Sequence, residues 1–348
     1  MRIAQIAPLI ERVPPKKYGG TERVVHALTE ELVRRGHEVT LFATGDSVTS
    51  ARLVSVYPRA LREARIANLY GPNALSLLNI GVAYGRQEDF DIIHDHVGYL
   101  SLPTANVATT PVVMTMHGAF TSENRRIFET LNMPSIATIS KAQVTPYLRI
   151  NHLGTVYNGL MMEQYPFSAE HDGYLLCVGR IALEKGFHYA IEVAQYLDLP
   201  LIIAAKLDAK DLRYFREYIG PRLSEKIRWV GEVDEEERNR LMSRALCLLH
   251  PITWPEPFGL TMIEAMACGC PVIAFDRGSV PEIVIHGKTG FAARNIEQMI
   301  DGVTELDTIN RMECRQHALE NFTVRQMADG YEALYRNLLG GFSGDNGS

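Results

Sequence analysis

The stretch TERVVHALTEELVRRGHEVTLFA, residues 21–43, decides the fold. Val24, Val25, Leu28 and Leu32 recur at helical spacing, Gly36 stops the helix, and β-forming residues resume at Val39. The preceding RIAQIAPLI alternates as a buried strand does, so a strand, a helix and a second strand follow one another. That succession is a βαβ unit.

Working outward, DIIHDH (91–96), PVVMTMH (111–117), SIATIS (135–140) and GTVYN (154–158) are short apolar strands with polar ends, separated by segments long enough for helices. They complete a first parallel sheet. From Gly173 the alternation restarts with YLLCVGR, LPLIIAA, KIRWVGE, ALCLLHP and CPVIAF, which predicts a second one. The polar, aperiodic stretch 161–174 between them reads as a linker. The expected organisation is therefore α/β, with two doubly wound domains over residues 1–165 and 166–323. An amphipathic helix follows over 324–340, and residues 341–348 read as a disordered tail. In doubly wound folds ligands bind beyond the strand C-termini, so the expected site is a cleft that both domains face.

The chain has 348 residues, more than one core usually supports. Its net charge of −6 argues against nucleic-acid binding. The first 165 residues hold 16 Lys+Arg against 14 Asp+Glu and the remainder 19 against 27, an asymmetry compatible with an anionic or membrane-associated acceptor. No apolar run reaches the roughly 18 residues of a membrane span, and the N-terminal segment is too short and polar for a signal peptide. Five scattered cysteines suit a reducing compartment. A cytoplasmic location, at most peripheral to the inner face of a membrane, is expected. Cys268 and Cys270 have no second pair to complete a zinc site, and they read as small residues at a helix-to-strand turn.

TWPEPFGLTMIEAMACGC, residues 253–270, carries two carboxylates, Glu256 in a Pro-rich turn and Glu264 inside the helix that follows. The first N–H groups of that helix, from Phe258, Gly259, Leu260 and Thr261, form an anion-attracting terminus. Carboxylates repel phosphate but accept hydrogen bonds from hydroxyls, so the pair suits sugar or ribose rings. The plain alternative is a solvated turn residue and a surface helix position, but Glu264 has apolar neighbours and requires a partner. In CVGRIALEKGF, Arg180 leaves a strand and Lys185 precedes Gly186 and a helix start, which suits a diphosphate; a salt bridge from Arg180 to Glu184 is the rival reading. Gly19 and Gly20 lie between the first strand and helix, where a backbone can approach a ligand closely, although the spacing is not that of a dinucleotide fingerprint. His94, Asp95 and His96 end one strand and His117 another. Alternation puts His94 and His96 on one face, and with no third ligand fixed by spacing, hydrogen bonding is favoured over metal binding.

Taken together, the Glu256/Glu264 spacing, YGGTERVV, DIIHDH, TMHG, VYNG, VGRIALEKG and VPEIVIHGKTGF resemble the E-x7-E signature and its companions in retaining glycosyltransferases of the GT-B fold, family 4, also termed glycosyl transferases group 1. The resemblance runs over nearly the whole chain; it departs after Gly159, where Leu160, Met161 and Met162 follow. It implies a nucleotide-sugar donor on the C-terminal domain, a UDP-sugar, with UDP-glucose favoured over GDP-mannose. The acceptor, a small molecule, a glycan or a lipid-linked acceptor, belongs to the N-terminal domain. By the same resemblance Arg180 and Lys185 grip the diphosphate, Gly19 and Gly20 approach it, Glu264 binds ribose, Glu256 binds the donor sugar, and His117 lies beside the reacting sugar. Gly231 and Glu232 are candidates for base recognition through backbone groups, and His94, Asp95 and His96 for acceptor contacts. No cofactor or metal is expected, because cationic side chains and the helix start supply the positive field. Two other readings compete. A sugar-nucleotide epimerase would convert the donor without acceptor, and an inactive sugar-nucleotide-binding protein would neither hydrolyse nor transfer it.

Overall fold

The computed structural model describes residues 1–64, 66 and 70–342. The chain divides into two units, one comprising Met1–Gly159 with the chain from Val324 and the other Leu160–Thr323. Among the described residues the first unit holds β1 (Arg2–Ile6), β2 (Glu38–Phe42), β3 (Arg52–Val54), β4 (Ile92–Asp95), β5 (Val112–Met116), β6 (Ser135–Thr138) and β7 (His152–Thr155). All pairs are parallel, in the order β3-β2-β1-β4-β5-β6-β7. The crossover helix Gly20–Arg34 buries Val24, Val25, Leu28 and Leu32, and Gly36 turns the chain into β2 with φ of 85°. Ile6, Phe42, Ile93, Met114 and Ile136 build one core on the sheet. Burying each such side chain contributes roughly 1.5–3 kcal/mol. Strand order reverses between β1 and β4, where Gln5 pairs with His94.

The second unit contains β8 (Leu175–Ile181), β9 (Leu201–Leu207), β10 (Ile227–Gly231), β11 (Cys247–His250), β12 (Val272–Phe275) and β13 (Gly290–Ala293). Its order is β10-β9-β8-β11-β12-β13, again parallel, with the reversal between β8 and β11. β13 escapes the alternation pattern because it begins at a glycine. A Cβ on Gly290 would lie 1.8 Å from the Val272 carbonyl oxygen, so the close approach of β12 dictates that residue.

The chain passes between units at Gly159/Leu160, ahead of the boundary expected after residue 165. The supposed linker 161–174 is aperiodic for another reason. Its backbone is held by side chains: Arg315 donates to the carbonyls of Tyr165 (2.9 Å) and Met162 (3.2 Å), and Arg311 to that of Ser168 (2.9 Å). The last helix, Val324–Phe342, lies in the first unit and runs slightly past its expected end at 340. The rest of the tail, 343–348, lies outside the described residues. Among the described residues no helix is long and apolar enough to cross a membrane, and the five cysteines are free and buried.

Candidate active site

In the second unit the site lies at the reversal of strand order, where doubly wound sheets open a crevice. β8 leads into the turn Leu183–Lys185, and Gly186 at φ 67° caps the helix Phe187–Leu197. A Cβ on Gly186 would sit 1.9 Å from the Pro251 carbonyl oxygen, so this turn is pressed against the end of β11. The Thr253 N–H donates to the Glu184 carbonyl at 2.9 Å and fixes the contact.

That packing brings Lys185 to the Pro-rich turn. Nζ donates to Glu256 Oε2 at 2.8 Å, and Trp254 Nε1 donates to the same oxygen at 3.2 Å. The Lys185 ammonium lies 5.7 Å from the Trp254 ring centre. Glu256 is 8% exposed. Burial alone would raise its pKa, but Lys185, His250 and Trp254 outweigh it and hold the carboxyl below the usual range. His250, which ends β11, has Nε2 4.0 Å from Glu256 Oε2 and without a hydrogen-bond partner. Burial pushes its imidazole down to about 4, with Glu256 opposing and Lys185 assisting.

The turn itself is rigid. Ser279 N–H donates to the Glu256 carbonyl at 3.0 Å and its hydroxyl to that of Phe258 at 2.8 Å. Gly259, at φ 80°, caps the helix Leu260–Ala267. The amides of Leu260 and Thr261 open that helix and so have no intrahelical acceptor. The Phe258 ring is core, edge-on to Phe322. Cys268 ends the helix and Gly269 turns it, as expected of a helix-to-strand corner.

Glu264 is 1% exposed, and the partner that its surroundings demand is double. Tyr165 donates its hydroxyl to Oε1 at 3.3 Å, and Arg238 lies at the same distance. Arg180 is likewise paired with carboxylates. Its guanidinium donates to Glu184 at 2.6 Å and to Asp211, so the rival salt-bridge reading describes this structure. Lys185 meets Glu256; Arg180 is held by carboxylates on its own side of β8. Gly231, at φ 79°, ends the edge strand β10 with open space on its Cβ side, and Glu232 follows half-buried.

In the first unit Gly19 precedes the crossover helix and Gly20 opens it. A Cβ on Gly19 would come 2.7 Å from the ring of Pro15, so local packing already requires glycine there. His94, Asp95 and His96 are 0, 0 and 3% exposed. Expected as acceptor contacts, they are here interior groups hydrogen-bonded to neighbours. Asp95 accepts from the Tyr84 hydroxyl and the Val97 N–H, both at 2.8 Å, and burial raises its carboxyl to about 6. His94 and His96 point to the opposite face, with ring centres 4.0 Å apart, and His96 reaches His117 at 2.8 Å. Among the described residues no group of three or more His, Cys, Asp or Glu is placed to hold a metal.

His250, Trp254, Arg238 and Tyr165 escaped the sequence reading. His250 alone left a signal, as a polar residue closing a buried strand.

Residues 163–320 match the family described as glycosyl transferases group 1, and residues 18–144 match glycosyltransferase family 4. Phosphatidyl-myo-inositol mannosyltransferase of Mycobacterium tuberculosis is 28% identical over 322 residues, covering 83% of this chain and 82% of that protein. Among solved structures, sucrose-phosphate synthase from Thermosynechococcus elongatus superposes with a TM-score of 0.81 at 17% identity, over 98% of this chain and 99% of that one. Anabaena HepE superposes at 0.73 with 18% identity, over 96% and 99%. At these identities the two structures speak for the fold alone.

Proposed function

The chain belongs to the group 1 glycosyltransferases of the GT-B fold, and on that premise we propose that it moves glucose from UDP-glucose to a hydroxyl acceptor, with retention at the anomeric carbon and without a metal. The observation that carries this reading is the Lys185–Glu256 pair beside the start of the Leu260–Ala267 helix. Donor diphosphate draws the Lys185 ammonium to itself, helped by the helix amides. Glu256 is then released to accept a hydroxyl of the sugar, and Glu264 serves the ribose from inside the same helix. His117 belongs to the sugar end of the reading.

In the reaction the bond from the anomeric carbon to the β-phosphate oxygen breaks, and the bond to the acceptor oxygen forms on the same face. The acceptor proton passes to the departing phosphate oxygen. Lys185 and the helix amides bear the charge that develops on the leaving group, so no divalent cation is needed. No carboxylate need act as nucleophile.

The complex of Anabaena HepE with UDP-glucose belongs to that protein, and it makes this the first donor to try. The mannosyltransferase relative favours a second reading, mannosyl transfer to an inositol lipid. Thermal unfolding with each sugar nucleotide separates them. A ligand at a hundred times its dissociation constant adds about 2.7 kcal/mol of stability. Stabilisation by UDP-glucose and an α-linked product supports the proposal. Stabilisation by GDP-mannose alone replaces the donor, and a β-linked product rejects retention.

A further inference from the structure

In the first unit the imidazoles of His94, His96 and His117 form one hydrogen-bonded chain whose polarity can be followed atom by atom. It starts at an atom that can only accept, Oε1 of Gln5, 2.7 Å from Nε2 of His96. His96 therefore carries its proton on Nε2 and donates it. A neutral imidazole has one N–H, so Nδ1 of His96 presents a lone pair. The 2.8 Å bond to His117 then requires the proton on Nε2 of His117. Nδ1 of His117 is left as an acceptor, and it has no hydrogen-bond partner among the described residues.

The second arm runs in the same sense. The Gln5 amide nitrogen faces His94 Nδ1 at 3.4 Å, and Gln5 also hydrogen-bonds the Tyr335 hydroxyl. Tyr335 donates to His94 Nδ1 at 2.6 Å. His94 Nε2 then donates to the Thr115 hydroxyl at 2.7 Å, and Thr115 donates onward to Tyr331 at 3.0 Å. One orientation of a single amide satisfies both arms. Gln5 accepts from the arm that ends at His117 and donates into the arm that ends at the last helix.

The scheme needs neutral rings, and the surroundings supply that condition. The side chains bonded to the three imidazoles are uncharged, Asp95 faces the other side of β4, and ring centres 4.0 Å apart oppose a charge on either member. Burial holds His94 and His96 well below the usual histidine range and His117 at about 4.

We propose that Gln5 and His96 are positioning residues that lock His117 in the Nε2-protonated tautomer, so that Nδ1 accepts a hydrogen bond from a carbohydrate hydroxyl. This rests on the reading that His117 meets the sugar. A lone pair at Nδ1 repels phosphate oxygen and welcomes O–H, so the residue distinguishes the sugar from the phosphates of the same donor. No charge on His117 is involved.

The test is a long-range proton–nitrogen NMR correlation of the full chain labelled with nitrogen-15 histidine at neutral pH, with His117 assigned from His117→Gln. The proposal expects His117 and His96 to be protonated on Nε2; protonation of His117 on Nδ1 overturns it. Gln5→Met removes the terminal acceptor, and the Nδ1-protonated population of His117 should rise; an unchanged ring rejects the role of Gln5. If that variant does not fold, the wild-type spectrum still decides. Saturating UDP-glucose, but not UDP, should move the His117 Nδ1 resonance toward hydrogen-bond acceptance, and an equal response to both overturns the sugar contact. The spectrum without ligand needs no donor, so failure of UDP-glucose to bind counts against the proposed donor and leaves the tautomer result standing.

Discussion

The ammonium of Lys185 lies 2.8 Å from the carboxylate of Glu256, across 71 residues of sequence. Each neutralises the other where both side chains are mostly buried, and each is a group that the proposed reaction needs unpaired. In the proposed reaction the pair is therefore a placeholder. A diphosphate competes for the ammonium with more charge than one carboxylate carries, and a sugar hydroxyl then takes the vacated acceptor.

Lys185→Ala should lower glucosyl transfer by at least about 100-fold, because the developing charge on the leaving group loses its principal cation. Steady-state kinetics with UDP-glucose checks this, after urea unfolding has confirmed that the variant is folded. Unchanged turnover would reject the role. Lys185→Arg should recover part of the activity, since it restores the charge but not the compact geometry.

Glu264→Gln takes one of two carboxylates from the buried Arg238 guanidinium and leaves it Glu235 at 3.2 Å. A hydrogen bond to a charged group is worth about 1.5–3 kcal/mol, and stability should fall by that order. The same change removes an acceptor for ribose hydroxyls, so UDP should bind more weakly while glucose does not respond. Urea midpoints and calorimetric titration with UDP give the two numbers separately; retained UDP affinity in a destabilised protein would make Glu264 a purely structural residue.

Much of this was legible beforehand because doubly wound sheets tie periodicity to position. Val24, Val25, Leu28 and Leu32 gave the crossover helix, and the residues that follow a strand gave the face on which chemistry sits. Lys185 and Glu256 were found because each stands next to a glycine-capped helix start, a local feature. Their mutual contact was not, since it depends on Gly186 packing against Pro251, which no pattern encodes. Arg180 shows the opposite limit. Its distance from Glu184 in sequence allowed the salt bridge, but Asp211 comes from a turn after β9, and together the two carboxylates hold it. β3, with three residues, is too short to show a period.

EDTA should leave transfer essentially unchanged. In the proposed mechanism Lys185 and the amides of Leu260 and Thr261 take the place that a divalent ion would fill. Activity assays in chelator, followed by addition of magnesium or manganese, check the point. Complete inhibition that the metal reverses would contradict it.

Acid should unfold the protein earlier than its carboxylates alone would dictate. His94, His96, His117 and His250 are all held below the ordinary histidine value, the last two at about 4. The unfolded chain takes up those protons near pH 6.5 while the folded chain refuses them, so stability is full above that pH and is lost as pH falls toward 4. For His117 the loss is at most about 3 kcal/mol. Asp95 works against this trend. Its folded carboxyl is raised to about 6, so it takes up a proton in the folded state first and returns some stability as pH falls from 6 toward the ordinary aspartate range. The net slope between pH 6.5 and 4 should still favour unfolding, since burial also holds His152, His188 and His317 low, and these imidazoles together outnumber the two carboxyls held high, Asp95 and Glu22. Thermal midpoints across this range test the balance, and His250→Asn should flatten the fall. A midpoint that holds level from pH 7 to 4.5 would show that these rings accept protons without strain, and the neutral network around His117 would go with it.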